Sequence, residues 1–198
     1  MLNDALKTYQ TYVDTMRGAE EALEQTTHKL SSTYRPEAGE YVEQMKAARD
    51  AFTQLNEQEK QKAKEAITAA FDEVRAKVAE AATVQTPQEL VTLLQMVEGV
   101  EHSDEEKQLL YDKCKGNYMA IRKLLSVVKY HENMQPMRYE DIKRDVDGLE
   151  ETMVSALDVH SFKDLDYNKA IVYEGSMFNR ADADISAFLA QFTEAQTV

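Results

Sequence analysis

Residues 2–34 read LNDALKTYQTYVDTMRGAEEALEQTTHKLSSTY, and this stretch decides the fold class. Eight of the ten positions that alternate four and three residues apart are apolar, and Glu20 and Thr27 are the exceptions. A strand cannot produce this period, so the stretch predicts one amphipathic helix of about 30 residues. Its apolar stripe needs a second helix to cover it, within the chain or on another molecule. The predicted partner seam consists of Leu2, Leu6, Tyr9, Val13, Met16, Leu23 and Leu30.

Prolines divide the chain into further helices. Pro36, Pro87 and Pro136 cut the 198 residues into four blocks, and each block reads as helix. Six glycines and three prolines are too few for the tight turns of a β-sandwich. We therefore predict an all-α fold with a long N-terminal helical hairpin, a coiled-coil-like arm, and a compact C-terminal multi-helix bundle. The predicted domains are residues 1–84, a long helical hairpin or three-helix arm, and residues 85–198, a compact helical bundle.

The arm contains one ambiguous point. The first helix should end at Arg35, because a residue that precedes proline disfavours helical backbone. In the next helix, the sequence Asn56-Glu57-Gln58-Glu59 resembles a helix N-cap with an acid three residues later. The sequence slightly favours a break near Asn56 over one long helix that continues through a polar run at 57–64.

Capping residues predict the helices of the bundle. Thr86, Ser103 and Asn117 each precede a helical pattern and can accept a hydrogen bond from the first turn. Gly99 and Gly116 follow such patterns and can end a helix in the left-handed conformation.

The last third of the chain predicts three more helices. The first carries a regular apolar stripe made of Ile142, Val146, Leu149, Met153 and Leu157. The second should end near Gly175, and the last should begin at Asn179 with a new stripe.

Composition indicates a soluble cytoplasmic protein, in the host cytoplasm if the protein is viral. The one cysteine, Cys114, cannot form an intrachain disulfide, and no signal-like segment or apolar run of about 20 residues is present. The chain has 23 basic and 36 acidic side chains, a net charge of −13. This charge repels phosphates, so nucleic acid is an unlikely partner for the chain as a whole and no membrane partner is expected.

The sequence contains no pattern typical of a catalytic or metal site. A glycine-rich phosphate loop, a Gly-x-Ser-x-Gly elbow and a Cys-x-x-Cys pair are all missing. Glu24 with His28 and Glu98 with His102 are two-residue pairs, whereas a metal site needs three or four converging ligands. We therefore expect no enzyme activity, no cofactor and no metal, and we interpret Cys114 as a packed apolar residue.

An acidic helix suggests one kind of working surface. Glu140, Asp141, Asp147, Glu150 and Glu151 lie on one predicted helix and form the candidate acidic face. Carboxylates one turn apart are about 5–6 Å from each other, which is comparable to the phosphate spacing of a nucleic acid strand. Such a face can occupy the nucleic-acid groove of a target enzyme and inhibit it, as anti-defence proteins do.

A basic segment suggests a different surface. Lys113, Lys115, Arg122 and Lys123 form the candidate basic patch on two helices joined by a short turn. A helix-turn-helix places its second helix in a DNA groove, so weak nucleic-acid binding is one interpretation. An acidic partner protein fits the same residues equally well.

The leading hypothesis is a helical protein–protein interaction protein without enzyme activity. It would act in assembly, as a scaffold or as an adaptor, with a viral origin as one interpretation, and would contact a second copy or another protein through the partner seam. The acidic inhibitor and the weak nucleic-acid binder through 107–129 are the alternatives.

Overall fold

The computed structural model describes residues 2–130, 138–159, 161–162 and 167–193, with side chains in the last helix from Asn179 to Phe192. All regular structure within these ranges is α-helical, so the predicted all-α class is confirmed. The helices are α1 (Asn3–Thr33), α2 (Gly39–Ala82), α3 (Gln88–Met96), α4 (Asp104–Cys114), α5 (Tyr118–Val127), α6 (Tyr139–Ser155) and α7 (Tyr167–Thr193). None of the helices in the described ranges is both long enough and apolar enough to cross a membrane.

The first two helices form the predicted long hairpin. Tyr34 adopts extended backbone, and the Ala38 N–H donates to the Arg35 carbonyl at 3.0 Å, so the connection is a short turn. The Tyr12 hydroxyl lies 2.8 Å from Asn56 Oδ1. Because Tyr12 and Asn56 are about equally far along the chain from this turn, α1 and α2 run antiparallel.

The expected break near Asn56 is wrong, because α2 is one helix of 44 residues. The Asn56 side chain cannot cap a new helix, since its Oδ1 accepts from the Tyr12 hydroxyl. Glu59 does not fold back to form a capping box either, because its carboxylate accepts from Lys62 at 2.6 Å. The Gln61 amide donates to Glu65 at 2.7 Å, and such pairs one turn apart support a helix through a polar run.

Two of the three predicted caps are confirmed. The Ser103 hydroxyl accepts from the Glu106 N–H at 3.3 Å, and the Glu106 carboxylate accepts from the Ser103 N–H at 2.7 Å. Hydrogen bonds between the Glu106 carboxylate and Ser103 lower the pKa of Glu106. The bond with the Ser103 backbone has the larger effect, and the bond with the Ser103 side chain adds to it. Thr86 does not cap α3, because its hydroxyl donates to Asn117 at 3.2 Å. Gly99 and Gly116 have the left-handed φ of 79° and 87° that their predicted positions require.

Asn117 connects α5 to the segment before α3. Its Oδ1 accepts from the Ala120 N–H at 2.8 Å and so caps α5 as predicted. Its Nδ2 donates to the Gln85 carbonyl at 3.2 Å. The side chain is almost fully buried, and these bonds satisfy both ends of its amide.

Helices α6 and α7 bury the predicted apolar stripes. All five predicted stripe residues of α6 and its end are buried, as are Ile185, Phe188 and Phe192 of α7. The predicted helix end near Gly175 is wrong, because α7 continues through it. Gly175 lies inside this helix, and within the described chain only Gly99 and Gly116 have positive φ. A lone helical glycine costs about 1 kcal/mol, which a helix of this length tolerates.

The chain forms two compact units that both include parts of α2, α6 and α7. The first unit consists of Met1–Asp72 and Gly148–Met177, and the second of Glu73–Asp147 and Phe178–Val198. These units group residues by proximity and do not coincide with the predicted segments 1–84 and 85–198. The division of the chain at residue 84 into two domains stays a prediction.

The core of the first unit joins α1 to the end of α6. The Tyr9 and Tyr12 hydroxyls lie 3.4 Å and 3.1 Å from the carbonyls of Ala156 and Leu157. The last carbonyls of a helix have no partner within the helix, so the two tyrosines satisfy groups that burial would otherwise leave unpaired. The ring of Phe162 packs edge-on against Tyr12 with centroids 5.7 Å apart.

The core of the second unit is aromatic. Tyr118, Phe188 and Phe192 are buried, with ring centroids between 4.9 Å and 5.5 Å apart in tilted or edge-on arrangements. The Tyr118 hydroxyl accepts from the Tyr139 N–H at 2.8 Å, which fixes the start of α6 to α5. Both α3 and α4 pack on α5, so α5 is the central helix of this group.

Candidate interaction surface

The structure places most of the predicted partner seam in the interior of the first unit. Leu2, Tyr9, Val13, Met16 and Leu30 are buried in the monomer. Leu6 and Leu23 are half-buried. A second molecule cannot contact a side chain that its own chain already covers, so this part of α1 packs within the chain. Whether α1 also binds another molecule stays a prediction.

The part of the candidate acidic face in the second unit is largely neutralised. Asp141 accepts from Arg144 at 3.0 Å, and Asp147 accepts from Arg75 at 2.8 Å. Glu140 is exposed. Arg144 lies one turn after Glu140 on the same helix, so a cation interrupts this row of carboxylates.

The part of the acidic face in the first unit is engaged in a similar way. Glu150 accepts from the Thr68 hydroxyl at 2.8 Å. Asp158, just beyond α6, is paired with Lys60. Glu151 is exposed at the edge of an open groove that Thr152 and Ser155 also line. These contacts reduce the continuous negative surface that imitation of a nucleic acid needs.

The candidate basic patch lies in the second unit and is exposed. Lys113 and Lys115 flank the turn between α4 and α5, and Arg122 and Lys123 lie on α5. Lys123 Nζ is 3.7 Å from a carboxylate oxygen of Glu98. Within the part of the chain that the structure describes, Lys113, Lys115 and Arg122 have no carboxylate within 4.0 Å. Three cations of the patch therefore have no partner among the described carboxylates.

Exposed apolar side chains are concentrated in the unit that contains this patch. Five large apolar side chains are exposed in the described residues, and four of them belong to the second unit: Met96, Val100, Leu109 and Met119. The fifth is Val42 on α2, in the first unit. Exposure reaches 73% at Met96 and 52% at Met119. Single exposed apolar residues are ordinary, but a cluster of them marks an interaction site.

One ion pair links the exposed face of α5 to the segment that carries Met96 and Val100. Met119 lies three and four residues before Arg122 and Lys123, so these side chains occupy one helical face. The pair between Lys123 and Glu98 joins this face to the end of α3. Met96 and Val100 lie two residues on either side of Glu98. We call this set the methionine–basic surface: Met96, Glu98, Val100, Met119, Arg122 and Lys123.

Sequence reasoning found the cations of this surface but missed its methionines. The apolar stripe of α5 and its C-cap runs through Tyr118, Ile121, Leu124, Leu125 and Val128; Leu125 is half-buried and the other four are buried. Met119 falls outside that stripe, so the sequence did contain a signal of its exposure. The link between Lys123 and Glu98 joins residues 25 positions apart and leaves no signal in the sequence.

The titratable groups next to this surface serve the structure. Cys114 is fully buried, and burial raises the pKa of its thiol although two lysines flank it in sequence. A His102 ring nitrogen lies 3.3 Å from the Val97 carbonyl. His131 and His160 lie outside the described residues. No group of three or more metal-ligating side chains converges in the residues that the structure describes.

Each unit contains a further open groove. In the first, about 420 Å³ lie between α1 and α2, with Thr8, Thr11 and Ala63 in the lining. Lys62 at its edge is paired with Glu59 at 2.6 Å. In the second, about 310 Å³ are lined by Arg75, Tyr139, Lys143 and others. In the first groove, the Thr8 and Thr11 hydroxyls donate to the backbone carbonyls of Asp4 and Lys7 at 2.9 Å and 2.8 Å.

No model of a protein family, no curated protein and no solved structure matches this chain. What the described residues can do chemically is therefore read from their geometry. That geometry combines exposed thioether and alkyl groups with Arg122, which has no carboxylate within 4.0 Å among the described residues, and with Lys123, which is paired with Glu98. It suits the binding of a complementary surface.

Proposed function

We propose that this protein is a non-enzymatic protein–protein interaction protein, an adaptor that binds its partner through the methionine–basic surface. One observation carries the proposal. Three of the five large apolar side chains exposed in the described residues belong to this surface, namely Met96, Val100 and Met119. The first unit, in contrast, covers most of the apolar seam of α1.

The energetics favour binding at this surface. Covering an exposed methionine side chain contributes about 1.5–3 kcal/mol before the costs of association are subtracted. Methionine is flexible and polarisable, so it adapts to different partner shapes. Arg122 adds a cation that can form two parallel hydrogen bonds with a carboxylate. Apolar anchors beside such cations are typical of the centre and rim of a protein interface.

The acidic inhibitor is less well supported, because Asp141, Asp147 and Glu150 already have partners within the chain. An enzyme groove that binds such a face would have to displace Arg144 and Arg75 from it. The desolvation and the broken pairs would both weaken binding.

Site-specific photo-crosslinking in the cells that produce the protein tests the proposal. A photoreactive phenylalanine analogue replaces Met119 in one variant and Val42 in another. The two positions form a matched pair, because both are helical and their exposures are 52% and 55%. We expect irradiation to give a discrete crosslinked protein species from position 119 and none from position 42.

The number of crosslinked species at each position can also contradict the proposal. If position 119 and a second probe at Met96 give no more crosslinked species than position 42, this surface is not the working interface. The same variants are first checked by circular dichroism, so that a misfolded chain is not counted as a negative result.

A further inference from the structure

We propose that the partner segment taken by the methionine–basic surface is an acidic amphipathic helix. This inference rests on the proposed function and names the chemistry of the partner. The segment would place apolar side chains against Met96, Val100 and Met119, and carboxylates against Arg122 and the lysines near it.

Charge gives the first argument. Residues 113–129 contain five basic side chains and no acidic one, in a chain whose net charge is −13. Within the described structure, Lys113, Lys115 and Arg122 have no carboxylate in reach. Although the chain has this excess of carboxylates, none of the described ones pairs with these three cations. An external acidic segment would complement them and would be drawn to this part of the chain.

The apolar residues give the second argument. Met119 lies one turn before Lys123 on the exposed face of α5. Both α3 and α4 pack on that helix. A partner helix buries apolar residues one turn apart and presents its charged residues at the margins. Met96 and Met119 can serve as the contacts for such anchors, with Arg122 and Lys123 at the margin.

Nucleic acid fits the same surface less well. The carboxylate of Glu98 lies 3.7 Å from Lys123, and Asp104, Glu105 and Glu106 start the neighbouring helix α4. A phosphate backbone carries a negative charge at every nucleotide and would meet these acids along its length, whereas a peptide helix can place its carboxylates opposite Arg122 and turn neutral residues towards the acids. Met96 and Val100 offer phosphates no hydrogen bond, whereas they suit the apolar side of a peptide helix.

The first experiment selects helical peptides with the full-length protein as bait. A display library presents helices of about 18 residues, five turns, with the positions of one face randomised. Each round is depleted on a Met119→Asp/Arg122→Glu variant, so that only binders of this surface remain. We expect the enriched peptides to carry net negative charge and to repeat apolar residues every three or four positions.

The second experiment measures the affinity of one enriched, labelled peptide by fluorescence anisotropy. Arg122→Glu should weaken binding at least about tenfold, whereas Arg122→Lys should retain most of it. Met119→Asp should weaken binding by a similar factor, because it removes an apolar contact and adds a repelling charge. Lys46→Glu and Val42→Asp, at exposed sites of α2, are the matched controls and should leave the affinity unchanged.

Three results would overturn the inference. One is a library without enrichment over the depleted variant. Another is a set of enriched peptides that are neutral or basic. The third is binding of duplex DNA or single-stranded RNA of about 20 nucleotides at low salt, if the Arg122→Glu substitution abolishes that binding.

These experiments separate the inference from the proposed function. If position 119 crosslinks to a protein but the crosslinked segment is not acidic, the proposed function stands and the inference fails. If positions 119 and 96 give no specific crosslink, the proposed function fails and the inference fails with it. A crosslink between two copies of this chain would identify a second copy as the occupant and would also contradict the inference.

Discussion

At the scale of single residues, Tyr12 connects three parts of the first unit through hydrogen bonds. Its side chain is buried, and its hydroxyl lies 2.8 Å from Asn56 Oδ1 and 3.1 Å from the Leu157 carbonyl. One hydroxyl has one proton, so these two acceptors share it. The same residue therefore connects α1 to the middle of α2 and to the end of α6.

We expect Tyr12→Phe to lower the free energy of unfolding by about 1–3 kcal/mol, because it leaves buried acceptors without a donor. Urea denaturation at neutral pH measures the change. Tyr41→Phe is the control, since the Tyr41 hydroxyl has no hydrogen bond to any residue that the structure describes. Equal stability of the Tyr12→Phe variant and the wild type would show that the hydroxyl contacts are not formed in solution.

Tyr12 also predicts how stability depends on pH. Burial, followed by the nearby Tyr9 and Asp158, raises the pKa of Tyr12 to about 12. An unfolded tyrosine ionises near pH 10, so between about pH 10 and 12 the folded state binds more protons than the unfolded state. The stabilisation by the neutral phenol is thus complete below pH 10 and is lost towards pH 12. Urea midpoints should therefore fall less steeply between pH 9 and about 11 in Tyr12→Phe than in the wild type.

The sequence predicted Tyr9, Val13 and Met16 as apolar contacts, but it did not indicate Tyr12. A heptad stripe assumes one partner helix and assigns position 12 to its flank. In the structure Ala5 and Tyr12 are buried as well, so α1 buries a face wider than one seam. A helix with two neighbours needs such a face, and the second neighbour, the end of α6, comes from a distant part of the chain.

At the scale of helices, the sequence predicted two of three side-chain caps correctly, but it did not predict the continuity of α2 and α7. Ser103 and Asn117 act as the sequence predicts, because capping depends on a few adjacent residues. The breaks expected near Asn56 and Gly175 do not occur. A local signal for a helix start competes with packing along the whole helix, and only tertiary contacts such as that of Asn56 with Tyr12 decide the outcome.

Two glycines should respond in opposite ways to the same substitution. Gly18 lies inside α1, and a Cβ added there meets nothing within 4 Å, so Gly18→Ala should stabilise the protein by about 0.5–1 kcal/mol. Gly99 has a φ of 79° and equally open surroundings, so Gly99→Ala should destabilise it by about 1–2 kcal/mol through backbone strain alone. Each variant controls for the added methyl group of the other. Urea denaturation that gave both changes the same sign would contradict this assignment of conformations.

At the scale of the whole molecule, the sequence predicted the fold class. The partner surface that it predicted, the seam of α1, differs from the methionine–basic surface that the structure suggests. The heptad period of residues 2–34 is a strong helix signal, and it does not say whether the stripe is covered in cis or in trans. The candidate interaction surface depends on which side chains remain uncovered after folding. That outcome is set by the packing of α3, α4 and α5, which no local pattern encodes.

We expect the protein to be a monomer of 22.6 kDa in light scattering coupled to size-exclusion chromatography, at salt concentrations of about 0.05 and 0.5 M. Leu2, Val13 and Met16 have no exposed surface, so a second copy gains no apolar burial from them. A dimer at both salt concentrations would mean that α1 leaves its own unit to pair in trans, and it would contradict the burial described above. A dimer at low salt alone would instead indicate charge pairing, in which carboxylates of one copy meet Arg122 and its neighbours on the other. Charge reversal at Arg122 would then abolish that dimer, whereas a dimer built from α1 would be unaffected.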